Sequence, residues 1–141
     1  MNFVLDASVA LLWLVPETNP AGVDYASAAL KALRESQAIV PSLFALEATN
    51  VAAKVESKGV VTEADVQRFI ALLGRLNIVT DQATSAHALG DTLNLARRYK
   101  LSTYDAAYLE RSLRTGLPLA TLDADLAKAA TTAGVPIFDT H

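Results

Sequence analysis

The chain opens on an apolar run, Phe3-Val4-Leu5, meets one carboxylate at Asp6, and resumes with Ala7 to Val15. From there, short apolar runs alternate with longer segments whose apolar positions recur every three to four residues, the spacing of one helical face. The pattern predicts a buried strand over 2–6, a helix over 7–14 and a loop framed by Pro16 and Pro20. A helix over 23–35 follows, with Ala26, Ala29, Leu30 and Leu33 on one stripe, then a strand over 38–40 closed by Pro41.

The run 42–58 reads as a long helix ended by Gly59, with Phe44, Ala48, Val51 and Val55 as its apolar stripe. Thr62-Glu63-Ala64-Asp65 starts another helix, over 62–74, with Thr62 as N-cap and acids in the first turn. A strand over 76–79 and a helix over 82–98 come next. A helix over 102–115 stops at Gly116, a strand spans 117–122, a helix over 123–133 stops at Gly134, and a last strand covers 135–138. Strands alternating with helices predict an α/β fold, a three-layer α/β/α sandwich on a mainly parallel sheet. Ligands of such folds gather at the carboxyl ends of the strands.

Composition narrows the chemistry. The 141 residues suit a single domain over 1–141, and 52% hydrophobic against 19% charged residues describes a chain with a core. Without cysteine there is no disulfide, no zinc–thiolate site and no cysteine nucleophile. The apolar start lacks a positive region before it, the first basic residue being Lys31, so it reads as folded protein and not as a secretion signal. No run reaches the ~20 residues that span a membrane, and a reducing cytoplasm fits. A net charge of −3 argues against bulk electrostatic binding of nucleic acid, although not against meeting phosphates through bound cations. Arg97, Arg98 and Lys100 cluster, with Arg111 and Arg114 nearby; a solvated helix face is the plainer reading of such a run.

Four acids fall where a site would form. Asp6 follows the first strand and Asp123 follows Leu117-Pro118-Leu119-Ala120-Thr121, with Asp125 two residues on. At 100° per residue, Glu47 and Asp105 border the apolar stripes of their helices, that of the second being Ala106, Leu109 and Leu113. Each alone has a structural explanation. Asp6 and Asp123 suit N-caps, Ser102 and Asp105 have capping-box spacing, Asp125 suits a first turn, and Glu47 could pair with Lys54. Together, on one rim, they would repel: two carboxylates ~4 Å apart cost on the order of 4 kcal/mol at an effective dielectric near 20. Such a group calls for a cation or for raised pKa values. An oxygen-only donor set favours Mg²⁺ or Mn²⁺ over zinc, and a metal of that kind suits phosphodiester hydrolysis.

The blocks Asn2-Phe3-Val4-Leu5-Asp6-Ala7-Ser8, Pro41 to Val51, Leu101 to Ser112 and Leu117 to Ala130 resemble the PIN-domain ribonucleases, and among these the VapC-type toxins of toxin–antitoxin pairs. The resemblance covers nearly the whole chain, in order. It implies an endoribonuclease dependent on Mg²⁺ or Mn²⁺, with Asp6, Glu47, Asp105 and Asp123 as catalytic acids and metal ligands. It places Ser8 and Thr121 beside the first and fourth acids, where their hydroxyls would hold carboxylates by hydrogen bonds. Asp125 and Asn50 are accessory candidates. Arg97, Arg98 and Lys100 would face RNA, and Trp13, Tyr104 and Tyr108 could stack bases, although such residues more often pack in cores or interfaces. His87, mid-helix, and the terminal His141 receive no role. The family's habits also imply a homodimer, a cognate antitoxin covering the acidic groove, and cleavage to 5′-phosphate and 3′-hydroxyl ends.

Three other readings compete. A haloacid-dehalogenase-like phosphatase wants a second Asp two residues after the first, where this chain has Ser8. A structure-specific DNA nuclease carries DNA-clamping helices for which the chain has no room. A catalytically weak PIN module acting through protein partners would not need all four acids.

Overall fold

The computed structural model describes residues 1–139, so His141 lies outside the described residues. Its centre is a four-stranded parallel sheet in the order β3-β2-β1-β4. β1 (Phe3–Leu5) is buried on both faces, which is why it reads as an unbroken apolar run. It pairs with β2 (Ala38–Val40) through Phe3↔Ala38 and Val4↔Ile39 on one side. On the other it pairs with β4 (Leu119–Ala120) through Val4↔Leu119 and Leu5↔Ala120. β3 (Ile78–Thr80) forms an exposed edge beyond β2.

The helices are α1 (Ala7–Ala10), α2 (Val23–Ala32), α3 (Phe44–Ser57), α4 (Glu63–Arg75), α5 (Thr84–His87), α6 (Leu93–Tyr99), α7 (Thr103–Thr115) and α8 (Ala124–Ala133). They flank the sheet and close one core, in which Phe3, Leu5, Val9, Tyr108, Leu109, Leu119 and Leu126 are fully buried. Each large apolar side chain buried this way contributes about 1.5–3 kcal/mol. Phe138 stacks on Phe3 with ring centroids 4.1 Å apart, tying the C-terminal segment to β1. Among the described residues no helix is long and apolar enough to cross a membrane.

The predicted α/β architecture stands, with local differences. The first helix is α-helical only to Ala10 and tightens to 3₁₀ geometry over Leu11–Trp13 before Pro16. The inward stripe of α3 is Phe44, Ala48 and Ala52, whereas Val51 and Val55 are half-buried. Alanines on that face let α3 sit close against α1 and α4. The predicted strand over 76–79 shifts to Ile78–Thr80, because pairing with β2 and not local hydrophobicity sets its register. The predicted helix over 82–98 is broken by a π-helical turn, Ala88–Thr92, of the kind common at functional sites. Leu113 is exposed, while α7 buries a broad arc from Ala106 to Glu110. The last predicted strand reduces to one bridge, Leu119↔Ile137.

Successive strands step outward from β1 through β2 to β3, and β4 then returns to the opposite flank of β1. The carboxyl ends of β1 and β4 therefore meet at a topological switch point, where a crevice opens in folds of this kind. Asp6 and the segment Thr121–Asp123 follow those two strand ends directly.

Candidate active site

Asp6 leaves β1 with extended backbone and caps α1 in position only, since its carboxylate makes no capping bond. Its Oδ2 instead accepts from Ser8 Oγ at 2.5 Å and from Thr121 Oγ1 at 2.8 Å. Each hydroxyl is itself oriented by the backbone: Ser8 Oγ accepts the Leu122 N–H at 3.0 Å and Thr121 Oγ1 accepts the Asp123 N–H at 3.0 Å. A hydroxyl that accepts from a fixed N–H has its proton left to give, so both protons point at the same carboxylate oxygen. Burial pushes the Asp6 pKa up and the two hydroxyls pull it down, while the nearby Asp123 charge raises it again; the net direction is upward.

Asp123 caps α8, its Oδ1 accepting the Leu126 N–H at 2.9 Å. This capping role coexists with a place in the cluster, because one oxygen serves the helix and the other is left for a ligand. Asp105 lies in the first turn of α7, whose N-cap is Ser102, with Ser102 Oγ accepting the Asp105 N–H at 3.1 Å. At Thr62–Asp65 the reciprocal bond closes a full capping box. At Ser102–Asp105 no full capping box forms among the described residues, and the Ser102 side chain also bears on the Asp105 carboxylate, drawing its pKa down against the influences that raise it. Burial first, then repulsion from Asp6, Asp123 and Asp125, raises the Asp105 pKa to about 6.

Glu47, one turn into α3, forms no ion pair with a lysine among the described residues, Lys54 included. Its Oε1 accepts from Tyr108 Oη at 2.5 Å. Burial raises the Glu47 pKa, the tyrosine bond lowers it, and the charges of Asp6 and Asp105 raise it further, for a net upward shift. Tyr108 is fully buried, and its own pKa lies above the ordinary phenol value, so it remains a donor. Charge couplings place Asp6, Glu47, Asp105 and Asp123 near one another from four separate stretches of chain, with Asp125 beside Asp105, although among the described residues no three of their oxygens lie within 4.8 Å of one another.

Other candidates fall differently. Tyr108 cannot stack on a base, being wholly enclosed; its place three residues after Asp105, on the same helical face, was the available signal for its role. Trp13 packs against the core and donates Nε1–H to the Ala26 carbonyl at 2.9 Å, so it too is structural. Tyr104 is exposed. Asn50 is exposed and takes part in no hydrogen bond with the acids among the described residues. Arg97, Arg98 and Lys100 are exposed around the C-terminus of α6.

Arg111 and Arg114 do not form a solvated face. Arg114 bridges Asp81 and Glu110, donating Nε to Glu110 Oε2 at 2.9 Å, with a short contact to Asp81, and Arg111 stands 3.7 Å from Asp81. His87 joins the same network, its Nδ1 lying 3.1 Å from Asp91 and 3.6 Å from Glu110. Donor atoms of His87, Asp91 and Glu110 lie within 4.8 Å of one another, a spacing open to a metal ion. Arg114 already engages both Glu110 oxygens, however, which favours an ion-paired structural cluster. The His87-x-x-x-Asp91 spacing was its signal in the sequence.

The PIN domain family model matches residues 3–131 of the chain. The crystal structure of PAE2754 from Pyrobaculum aerophilum is similar in fold, with a TM-score of 0.64 and 22% sequence identity over 92% of this chain and 79% of that one. No curated protein matches the chain.

Proposed function

The chain belongs to the PIN domain family, whose members are typically metal-dependent nucleases, and from that premise we propose that it is a Mg²⁺- or Mn²⁺-dependent endoribonuclease, the toxin of a toxin–antitoxin pair. The observation that carries the reading is the convergence of Asp6, Glu47, Asp105 and Asp123 at the sheet's switch point, with Asp6, Glu47 and Asp105 all held above their ordinary pKa values. Acids with pKa values perturbed in this way, gathered beside a strand end, support a functional reading of the cluster.

The donor set suits a hard divalent cation, being all oxygen and, among the described residues, in no salt bridge. Asp6, Asp105 and Asp123 would hold the ion, and Glu47 would hold it directly or through water. A bound Mg²⁺ or Mn²⁺ supplies charge neutralisation at the phosphate and makes water a better nucleophile near neutral pH. Ser8 and Thr121 fix the Asp6 carboxylate in one orientation. Tyr108 occupies Glu47 Oε1, which leaves Oε2 to take a proton from the attacking water. The water oxygen would bond to phosphorus as the P–O3′ bond breaks, the leaving 3′ oxygen would take a proton from solvent water, and Glu47 would then release the proton it took to solvent. The products carry 5′-phosphate and 3′-hydroxyl ends, without participation of the 2′-hydroxyl.

The same reading includes a cytoplasmic location, a homodimer and a cognate antitoxin. Exposed Leu46, Leu89 and Tyr104 support a covered face. The decisive experiment incubates purified protein with total RNA and Mg²⁺ or Mn²⁺ and sequences the cleaved ends, with Asp6→Asn as control. Uniform metal-dependent ends lost in Asp6→Asn establish the nuclease. Cleavage of DNA in preference to RNA, or no cleavage with intact partner binding, would favour the DNA nuclease or the weak partner-binding module. Growth arrest on expression, relieved by a co-expressed antitoxin, tests the toxin role.

A further inference from the structure

Beside the acidic rim, the C-terminus of α6 and the outer face of α8 enclose a cavity of about 370 Å³, lined by Arg98, Tyr99, Lys100, Asp125, Lys128 and Thr132. The volume lies within the ~300–1,000 Å³ of ordinary ligand pockets. Among the described residues, none of its three cations forms an ion pair; the arginines that do, Arg68, Arg111 and Arg114, lie elsewhere. Asp125 ties the cavity to the acids, since it lines the wall and its charge also bears on Asp105.

Both walls lead into the site. Lys100 precedes Asp105 by five residues, across the turn that starts α7, and Lys128 follows Asp123 by five, about 7.5 Å along α8. The backbone of Lys100 is left-handed, with φ 55°, and among the described residues it is the one non-glycine with positive φ. Glycine normally fills such a helix end, and a side chain with a Cβ there costs backbone energy. A strained cation facing a cavity is a candidate for function. Cations in the last turn of α6 also favour its dipole, but Lys128 lies in the middle of α8, where the dipole offers it nothing. Arg98 lies over the Tyr99 ring at 5.7 Å, which restrains its guanidinium.

We propose that Arg98, Lys100 and Lys128 form a subsite for a backbone phosphate of single-stranded RNA, flanking the phosphate cut at the acidic rim. The inference rests on the nuclease reading and assigns the strand's path: from the acids, past Asp125, into the basic cavity. It adds Lys128 to the cations named from sequence and leaves out Arg97, which does not line the cavity. Phosphate contacts position a strand without reading its bases, so the subsite serves affinity and register and not sequence choice.

The test measures binding of a short fluorescent single-stranded RNA by anisotropy across a salt series, in the uncleaving Asp6→Asn background. Lys100→Gln and Lys128→Gln should each weaken binding about 5- to 10-fold and lower the salt slope by about one, while Lys58→Gln, at the far end of α3, stays near its parent. In the cleaving protein, Lys128→Gln should raise KM with kcat little changed. Melting temperatures within a degree or two of the parent's keep the comparison free of folding defects. Unchanged affinity and slope in both lysine variants would overturn the subsite, as would loss of binding to an acidic protein partner in place of RNA. A chain that binds RNA through these lysines yet never cuts it would retain the subsite and refute the nuclease.

Discussion

Tyr108 Oη donates to Glu47 Oε1 at 2.5 Å, joining α7 to α3 across 61 positions of the chain. The tyrosine is fully buried and the glutamate half-buried, so the bond acts as a strut between the two helices that carry Glu47 and Asp105. Tyr108→Phe keeps the ring's packing and removes only the strut. Stability should fall by about 1 kcal/mol in chemical denaturation. Nuclease activity should fall further than that loss explains, with Glu47 free to turn. Full activity in Tyr108→Phe would show that the strut serves the fold alone.

Asp6→Asn should abolish cleavage and raise the stability of the metal-free protein at pH 7 by about 1 kcal/mol, because it removes a buried charge from a repelling group. Thermal melts with and without Mg²⁺ check both halves. The wild type should gain stability from Mg²⁺ and the variant should gain little.

The raised Asp105 pKa of about 6 sets a pH window. A carboxyl whose folded pKa exceeds its unfolded value of ~3.9 contributes stability below that value, and this is lost as pH rises through 6. Metal-free protein should therefore lose stability between about pH 4 and pH 6 through this group. Mg²⁺ affinity should change in the opposite sense, weakening as pH falls through 6, with proton release on binding. Calorimetry in buffers of different ionisation enthalpy reads that release.

Ser8 and Thr121 donate to the same oxygen of Asp6, so their contributions should not add. Ser8→Ala and Thr121→Val should each lower activity about 10- to 100-fold. The double variant should depart from additivity by about 0.5–3 kcal/mol in a stability cycle. Additive losses would mean that each hydroxyl serves only the backbone N–H that it accepts.

Arg114 holds Asp81 and Glu110, both buried. Arg114→Met should cost about 3 kcal/mol, since it strands two buried carboxylates. Burial alone would raise the Asp81 pKa, but Arg114 holds it below the usual range, so its stabilisation is present above ~4 and lost as pH falls through the lowered value. In Arg114→Met this acid-induced loss should shrink, because burial is then less opposed and the folded Asp81 pKa moves up toward or above its unfolded value. Denaturation midpoints between pH 3 and 7 check the shift.

Much of this was legible in the sequence. The order of strands and helices, the N-caps at Thr62, Ser102 and Asp123, and the stops at Gly59, Gly116 and Gly134 follow from local rules that act within a few residues. The site acids were legible as residues placed after strands or beside helical stripes. Less legible were the inward face of α3, the register of β3 and the π turn at Ala88–Thr92, which depend on what lies across the core.

The sequence by itself determined which residues could serve: apolar runs that must be buried, and carboxylates stationed where those runs end. Only the tertiary structure decided which of them meet. Asp6 and Thr121 are 115 residues apart in the chain and 2.8 Å apart in space because β4 pairs with β1 and not with β3. The same pairing turns Tyr108 from a candidate base-stacker into a buried donor, and makes Lys128 a neighbour of Lys100. Hydrophobic spacing encodes burial, which is local and repetitive. The meeting of distant polar groups depends on strand order, which no single segment contains.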